Sequence, residues 1–395
     1  MLVYNSRMAD AAAQVRATFN QFLRGGVNAQ MTPAERTAQT VKMLSLVIVG
    51  FLVVAMFVWA GGKLRLNTQN CSTLASLYDE APPISGIRSN SELACHQLRD
   101  FYIKTAYNCC ASGAFKNDYV NVCALQTCIQ QGARCLDFEI YDVGGAPVVG
   151  VSSMESYHVK ECYNSVPFEE AMQTVASHAF SGGYTTCASD PLLLHFRVMS
   201  SHKEIYDQMA EALYRTLERR MLGKKYSYEY DGFNIGTVKF RELMGKVIIS
   251  VRKEGTLLTH SSLDEYTNIC SNAHFMRSLR YNQVKFVHDS EELIEYNKQN
   301  MSIVLPDVGV QPANPSGPLA MSYGCQMVGM SFQNFDSNME YDALFFDKYG
   351  GAFALKPKRL RYIPVTINTV PDNPPDYSFK DRDLTTVVPG LSFNI

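Results

Sequence analysis

Four side chains that could do acid–base or metal-binding chemistry occupy alternate positions in two short apolar segments. Asp137 and Glu139 alternate with apolar residues in the sequence DFEIY, and His195 and Arg197 do so in LHFR. Because side chains alternate across a strand, each pair shares one face if its segment is extended. Two carboxylates beside an imidazole and a guanidinium can hold a cation, move a proton or pair with one another. Solvated charges at strand ends are the plain alternative.

The segments around these residues predict strands and helices in alternation. Strands are predicted at Asp137–Tyr141, Pro147–Val149, Leu192–Val198 and Lys246–Val251, and helices at Phe168–Ala179 and Glu204–Leu222. Strand, helix and strand at this spacing are typical of a parallel α/β sheet, whose functional sites gather at the carboxyl ends of the strands.

Composition and charge exclude two classes of protein. The 395 residues are 46% hydrophobic and 19% charged, with a formal net charge of −2. A chain with this apolar content can bury a large core, which excludes a disordered protein. The near-neutral charge lacks the basic excess of a protein that coats nucleic acid, so no nucleic-acid partner is expected.

An uncharged apolar run divides the chain near its N-terminus. Met43–Gly62 has no charged residue, and as a helix rising ~1.5 Å per residue it matches the ~30 Å core of a bilayer. We predict a single transmembrane helix that begins upstream at a Thr-x-x-Glu capping box, Thr32–Glu35. A buried core helix or a cleaved signal peptide are the alternatives, but the run is long for the first and too far along the chain for the second.

Two further segments flank this span. Residues 1–42 carry four apolar side chains at helical spacing, which predicts a short amphipathic helix that lies on the membrane or docks a partner; a frayed terminal helix fits equally well. The four are Val15, Phe19, Phe22 and Leu23. Residues 63–98 are mixed and polar and include Ala81–Pro83, which predicts a stalk.

The cysteines suggest a membrane orientation. All eleven follow residue 70, and thiols confined to one side of a membrane suggest that this side is oxidising. Asn70 and Asn300 begin glycosylation sequons on the same side. We therefore predict that the C-terminal region lies on the extracytoplasmic or lumenal side. The odd number leaves at least one cysteine without a partner in its own chain, and buried thiols of a cytosolic domain are the alternative.

Several motifs after residue 98 resemble those of one known family. Gln130–Asp142 (QQGARCLDFEIYD) is similar to the second-strand motif of eukaryotic phosphoinositide-specific phospholipase C. Four later segments resemble landmarks of that family's second catalytic half and follow the same order. They are Ile269–Phe275, Gly324–Val328 (GCQMV), Phe332–Gln333 and Gly350–Pro357 (GGAFALKP). The resemblance implies an α/β fold, a distorted TIM-type (β/α) barrel, with its first half at 99–254, a linker at 255–262, its second half at 263–358 and an extended tail at 359–395.

The same resemblance sorts the cysteines. Cys135, Cys270 and Cys325 stand where the family commonly carries buried free thiols. The remaining eight are the candidates for disulfides: Cys71, Cys95, Cys109, Cys110, Cys123, Cys128, Cys162 and Cys187.

The family's reaction, as the resemblance implies it, needs two histidines, and neither is kept here. One histidine stabilises the transferring phosphoryl group and the other the leaving group, while calcium lowers the pKa of the attacking inositol hydroxyl. The first histidine position holds Tyr107 and the second holds Val151. A phenol with a pKa near ~10 is a poor proton shuttle at neutral pH, and valine carries no transferable proton.

The calcium-binding positions that the resemblance implies are partly kept. Asn108, Asp137 and Glu139 match ligand positions, but the fourth, a glutamate in the family, is Arg197. A guanidinium has no lone pair for calcium and repels it. We therefore predict that Arg197 takes the place of the metal and lies within ~4 Å of a carboxylate, so that no cofactor is bound.

Substrate contacts of the family are also missing. Ser302–Pro306 replaces a Ser-Arg-Ile-Tyr-Pro motif and lacks its arginine and tyrosine. A pair of phosphate-binding lysines is matched by Ser250 and Arg252, which leaves Arg252 as the candidate headgroup contact.

These observations together predict a catalytically inactive, membrane-tethered pseudoenzyme with a structural or adaptor role. Its partners would be the lipid bilayer, through Met43–Gly62, and other proteins of an assembly, of which a large DNA virus particle with its membrane is one setting. The alternative is a phosphoinositide headgroup binder, or a residual phosphodiesterase whose chemistry has moved to other side chains. The candidates for that relocated chemistry are His158, His195, Asp137 and Glu139.

Overall fold

Most of the chain is described by a computed structural model. The described residues are 32–79, 84–154, 159–228 and 233–364, together with 17, 377, 383–385 and 392–394. The four side chains of the predicted N-terminal amphipathic helix and the candidate His158 lie outside them. The chain divides into two compact units, Met1–Ser72 and Thr73–Ile395.

One long helix, α1, covers Pro33–Leu77. It begins at the predicted capping box, where the Thr32 backbone N–H donates to the Glu35 carboxylate at 2.9 Å and the Glu35 N–H donates to Thr32 Oγ1 at 3.4 Å. The helix is long and apolar enough to cross a membrane, and none of its most apolar stretch is buried against the described residues. Length and composition thus agree with the predicted span.

The first part of the segment predicted as a stalk, residues 63–98, is helical. The helix continues to Leu77, because residues 63–77 contain neither proline nor glycine to interrupt it. Leu74, Ile84 and Ile87 are then buried in the core of the second unit. The described residues of this segment thus combine a continuous helix with apolar side chains buried in the second unit.

Eight parallel strands of the described chain form a nearly closed barrel. They are β1 (Phe101–Ala106), β2 (Cys135–Val143), β5 (Leu192–Met199), β6 (Val247–Arg252), β7 (Ile269–Ser271), β8 (Met276–Arg280), β9 (Met301–Leu305) and β10 (Met327–Met330). Their order is β7-β6-β5-β2-β1-β10-β9-β8, and within the described residues the two end strands do not pair. The predicted distorted (β/α) barrel is therefore confirmed.

Shorter strands and helices complete the described fold. The strands are β3 (Ala146–Gly150), β4 (Val166–Pro167), β11 (Phe353–Leu355), β12 (Asp383–Thr385) and β13 (Ser392–Asn394). The helices are α2 (Val122–Gln130), α3 (Phe168–His178), α4 (Lys203–Leu217), α5 (Phe240–Leu243), α6 (Tyr281–Lys285), α7 (Ser290–Gln299), α8 (Gly317–Ser322) and α9 (Ser337–Tyr349). In the tail, which was predicted to be extended, β12 and β13 form an antiparallel pair, and most of the rest lies outside the described residues.

The cysteines correct the disulfide prediction. Cys71 and Cys123 are disulfide-bonded. The other six candidates are free thiols: Cys95, Cys109, Cys110, Cys128, Cys162 and Cys187. All six except Cys95 are buried, and they pack as small apolar side chains in the core. Cys135, Cys270 and Cys325 are buried free thiols, as the family resemblance implied.

The second predicted glycosylation acceptor, Asn300, is half-buried. Met301 and Ser302, which follow Asn300 in the sequon, are both fully buried in β9. The Asn300 side-chain oxygen accepts a hydrogen bond from Asn234 Nδ2 at 3.2 Å. In the folded barrel, two of the three residues of this sequon are therefore buried.

Candidate functional site

The four side chains singled out by their alternation meet inside the barrel. Strands β2 and β5 pair in parallel with Asp137 opposite His195 and Glu139 opposite Arg197. All four residues are at most 1% exposed. The alternation within each strand fixes the shared face, and the register between the strands brings the two pairs into contact. We call these four residues, together with Asn108, the central cluster.

Arg197 holds the central cluster together. Its Nε donates to Asp137 Oδ1 at 3.0 Å and its Nη2 to Asp137 Oδ2 at 2.8 Å, a bidentate ion pair. Nη2 also donates to Asn108 Oδ1 at 2.6 Å, and Nη1 lies 3.5 Å from Glu139 Oε1. The predicted contact of Arg197 with both carboxylates is therefore present. The Asn108 backbone has a φ of 44°, a left-handed conformation that asparagine tolerates better than most residues.

The charges in the cluster are shifted by burial and by one another. Burial alone would raise the pKa of Asp137, but Arg197 and the His195 hydrogen bond hold that pKa well below its usual range. Burial raises the pKa of Glu139, and Arg197 only partly opposes this. The pKa of Arg197 rises well above normal: burial lowers it, but Asp137, Tyr107 and Glu139 together outweigh that effect. The bidentate pair is thus the ionised centre of the cluster.

His195 extends the cluster toward β7. One ring nitrogen, Nδ1, lies 2.7 Å from Asp137 Oδ1, and the other, Nε2, lies 2.8 Å from Ser271 Oγ. The order serine, histidine, aspartate matches that of a hydrolytic triad. However, Ser271, His195 and Asp137 are each 0% exposed, so the serine oxygen offers no surface to a substrate. Ser271 was not predicted, because its partner is 76 residues away in the sequence.

The two positions that the resemblance assigned to catalytic histidines are filled by packed side chains. Tyr107 is 4% exposed, and the Arg197 guanidinium carbon lies 4.9 Å from its ring centroid, a cation–π contact. Arg280 Nη1 donates to the Tyr107 hydroxyl at 3.3 Å. Val151 is 1% exposed, and its N–H donates to Cys162 Sγ. Both positions thus hold side chains packed in the interior of the second unit, and valine carries no transferable proton.

The central cluster does not fit calcium. Calcium takes six to eight oxygen ligands, but the oxygens here already accept N–H groups. Asp137 Oδ2 accepts from the Asn108 backbone N–H at 3.2 Å as well as from Arg197, and Asn108 Oδ1 accepts from Arg197. Glu139 Oε2 accepts from the Ser152 N–H at 3.4 Å. Among the described residues, no group of three or more His, Cys, Asp or Glu side chains is arranged to hold a metal.

A polar cleft opens near the carboxyl ends of β6 and β8. It encloses about 210 Å³ and is lined by Arg252, Asn272, Ser278, Leu279, Arg280 and Gln283. Arg252 Nε lies 2.8 Å from Glu254 Oε1. The predicted headgroup contact is therefore in a cleft, with a second arginine that the sequence analysis did not single out.

The segment matched to the family's substrate motif faces the core. Ile303 and Leu305, at the positions that would carry recognition side chains, are at most 1% exposed within β9. Ser302 Oγ donates to Asn297 Oδ1 at 2.6 Å. This segment contributes packing, and none of its side chains lines the cleft.

Two family models match consecutive parts of the chain. Phosphatidylinositol-specific phospholipase C, X domain, matches residues 95–253, and the Y domain of the same family matches residues 254–359. Together they cover about two thirds of the sequence.

Two solved structures are similar in fold. The L. pealei PLC21 crystal structure has a TM-score of 0.55 at 18% identity, and that of S. officinalis PLC21 has 0.56 at 19% identity. The matches cover 71% and 69% of this chain but only 40% and 38% of those chains. The chain therefore spans less than half the length of these structures, and at this identity the likeness concerns the fold.

Proposed function

The chain belongs to the phosphatidylinositol-specific phospholipase C family, and from that premise we propose that it is a catalytically inactive barrel with a structural or adaptor role at a membrane. The observation that carries this proposal is the bidentate pair between Arg197 and Asp137 at the position where the family resemblance implies calcium. The family's members are phospholipases, so the proposal concerns what this chain has lost.

The lost groups act in the chemical step itself. A positioned general acid or base typically contributes ~10²–10⁴ in rate. With Tyr107 and Val151 at the two histidine positions, both contributions are removed, which amounts to a loss of ~10⁴ or more. His195 does not replace them, because it is buried and both of its ring nitrogens are engaged inside the barrel.

Arg197 supplies the positive charge that the carboxylates need in order to be buried. A buried carboxylate without a partner is strongly unfavourable, so loss of the metal requires a replacement cation. A guanidinium gives that charge permanently and in a planar shape that matches a carboxylate. The barrel would thereby keep its buried carboxylates without a metal. It would also lose the calcium ion that activates the inositol hydroxyl in the family's reaction.

The anchor defines where such a barrel would act. Helix α1 would hold the chain in the bilayer through Met43–Gly62, and the barrel surface would bind other proteins of a membrane-associated assembly, such as the membrane of a large DNA virus particle. The disulfide-bonded Cys71 and Cys123 support an extracytoplasmic or lumenal barrel. An adaptor of this kind would co-purify in mild detergent with partner proteins in fixed ratio.

A hydrolysis assay tests the loss of activity. Full-length protein in mixed micelles is given labelled phosphatidylinositol bisphosphate, with calcium or with a chelator, beside an active family member. We expect inositol phosphate release to stay at the no-enzyme background in both conditions, because both proton-transfer groups and the metal site are missing. Calcium-dependent release above background would overturn the proposal.

The polar cleft supports a second candidate function, a phosphoinositide headgroup binder. Two guanidiniums and three uncharged polar side chains line it, a set that suits phosphate oxygens. Equilibrium dialysis of soluble inositol trisphosphate against the full chain in detergent tests this function. Headgroup binding is favoured if Arg252→Ala weakens the affinity at least tenfold. The control Arg215→Ala, at an exposed ion pair, should leave the affinity unchanged. An absence of binding would leave the adaptor role as the better account.

A further inference from the structure

A four-residue segment after α1 is fastened across the end of the barrel opposite the carboxyl ends of its strands. We call this segment, Ile84–Ile87, the latch. The Ile84 carbonyl accepts hydrogen bonds from Thr186 Oγ1 and, at 3.2 Å, from Cys187 Sγ. The Ser85 N–H donates to the Gly350 carbonyl at 2.9 Å, and the Ile87 N–H donates to Asp190 Oδ1 at 2.8 Å. Asp190 lies two residues before Leu192, the first residue of β5, at the amino end of that strand.

The latch fits the barrel with almost no free space. A Cβ atom at Gly132, whose φ is +78°, would lie 2.4 Å from Ile84 Cδ1. A Cβ atom at Gly86 would lie 3.2 Å from Asp190 Oδ1 and 3.4 Å from the Cys187 backbone. The 2.4 Å distance and the positive φ favour glycine at position 132, and the 3.2 Å distance at Gly86 is tighter than most Cβ contacts. The closed latch therefore depends on close approach as well as on hydrogen bonds.

Asp190 is an unusual anchor for such a segment. It is 0% exposed, Oδ1 accepts the Ile87 N–H, and Oδ2 is buried with no hydrogen-bond partner among the described residues. The titratable or charged groups that face it are Arg134 and Cys187. Arg134 is itself committed to the Ala179 carbonyl at 2.8 Å and to Thr185 Oγ1 at 3.3 Å. Within the described part of the chain, one oxygen of this carboxyl group accepts a hydrogen bond, the other has no partner, and no cation forms a direct ion pair with either.

The protonation of Asp190 follows from this environment. Burial raises the pKa of Asp190 to about 7, and the Ile87 N–H and Arg134 oppose this only in part. Burial also raises the pKa of the Cys187 thiol, which is therefore neutral at physiological pH. A group with a folded pKa above its unfolded value binds a proton in the closed state that it would release when exposed.

We propose that the latch is a proton-controlled attachment, closed while Asp190 is protonated and loosened when Asp190 is ionised. Opening the latch gives the ionised carboxylate access to water, so ionisation favours the open state. The closed latch is fully stable below the pKa of an exposed aspartate, near 3.9, and progressively loses stability as the pH rises toward about 7. The strength with which the barrel binds the latch would then depend on the pH of the compartment that contains the barrel.

Amide hydrogen exchange measures the latch directly. The full chain in detergent is labelled at pH 5.5 and pH 8.5, rates are corrected for intrinsic exchange, and a peptide that contains Ile84–Ile87 is followed. We expect protection of the latch to fall by roughly tenfold to a hundredfold at the higher pH. A peptide from β9, in the barrel core, serves as the internal control and should keep its protection.

Two variants separate the latch from general stability. Asp190→Asn keeps an oxygen for the Ile87 N–H but cannot ionise, so its latch protection should be independent of pH. Gly86→Ala crowds Asp190 and should lower protection at pH 5.5 as well, without loss of protection in β9. Unchanged protection of the wild-type latch between the two pH values, or a pH dependence that persists in Asp190→Asn, would overturn the proposal. If Asp190→Asn does not fold, the change in latch protection between pH 5.5 and pH 8.5, measured in the wild type and in Gly86→Ala, decides whether the proposal stands.

Discussion

Replacement of Arg197 by methionine is expected to lower the free energy of unfolding of the barrel by about 3–5 kcal/mol. The substitution keeps the volume of the side chain but leaves Asp137 buried and without its ion pair, and Glu139 without its nearest cation. Total stabilities of domains are roughly 5–15 kcal/mol, so this loss is a large fraction of the whole. Urea unfolding followed by tyrosine fluorescence, with the full chain in detergent, measures it.

The matched control is an arginine in an exposed ion pair. Arg215 pairs with Glu169 at 2.9 Å and with Glu211 at 2.5 Å, and its side chain is 48% exposed. Arg215→Met should cost less than about 1 kcal/mol, because water already screens these charges. Equal losses for the two variants would contradict the role given to Arg197.

The stability loss of Arg197→Met should also depend on pH. Without Arg197 the pKa of Asp137 rises from its depressed value, because burial is no longer opposed. The wild-type pair contributes stability above the unfolded pKa of aspartate, and this contribution is lost as pH falls through the folded pKa. The difference between wild type and variant should therefore be largest above about pH 6 and should shrink toward pH 4. A difference that grows in acid would contradict the ion-pair account.

Replacement of Arg197 by glutamate is expected to make the stability of the barrel depend on calcium. The variant places a carboxylate beside Asn108, Asp137 and Glu139, which completes the ligand positions that the family resemblance implies. Without metal, three buried carboxylates repel one another, and the variant should be less stable than Arg197→Met. With calcium at about 100 times its dissociation constant, binding to the folded state should restore about 2.7 kcal/mol. Thermal unfolding with calcium, magnesium or chelator measures this gain.

The control for this experiment is Arg197→Gln, which removes the cation without adding a carboxylate. Its melting temperature, and that of the wild type, should not respond to calcium. Calcium stabilisation of the wild type would contradict the proposal that Arg197 has replaced the metal. The Arg197→Glu variant is measured both as purified and after refolding with calcium. If calcium does not raise its melting temperature in either case, position 197 does not decide metal binding.

Local patterns in the sequence were sufficient for the long helix and for the faces of the strands. The capping box at Thr32–Glu35 and the uncharged run Met43–Gly62 depend only on neighbours in the chain. The alternation at Asp137 and Glu139 likewise fixes which face of β2 they share. The continuation of α1 beyond the predicted span to Leu77 was not predicted, because a polar helical segment and a polar linker have similar compositions.

Contacts between distant segments were not predictable in the same way. Six of the eight disulfide candidates are free thiols, because pairing requires two cysteines to meet at bonding distance and cysteine count does not specify which do. The bond of Ser271 to His195 and the latch on Asp190 join segments 76 and 103 residues apart. Neither contact leaves a local pattern in the sequence.

The sequence by itself predicted an α/β barrel preceded by one helix long and apolar enough to span a membrane, with two carboxylates on one face of a strand and Arg197 where the family resemblance implies a glutamate. The tertiary structure alone decided that Arg197 and Asp137 form a bidentate pair, that Tyr107 packs on Arg197, and that Asp190 is buried with one bare oxygen. The physical reason is that periodicity and residue type act along the chain, whereas register, desolvation and hydrogen-bond partners depend on segments that only folding brings together.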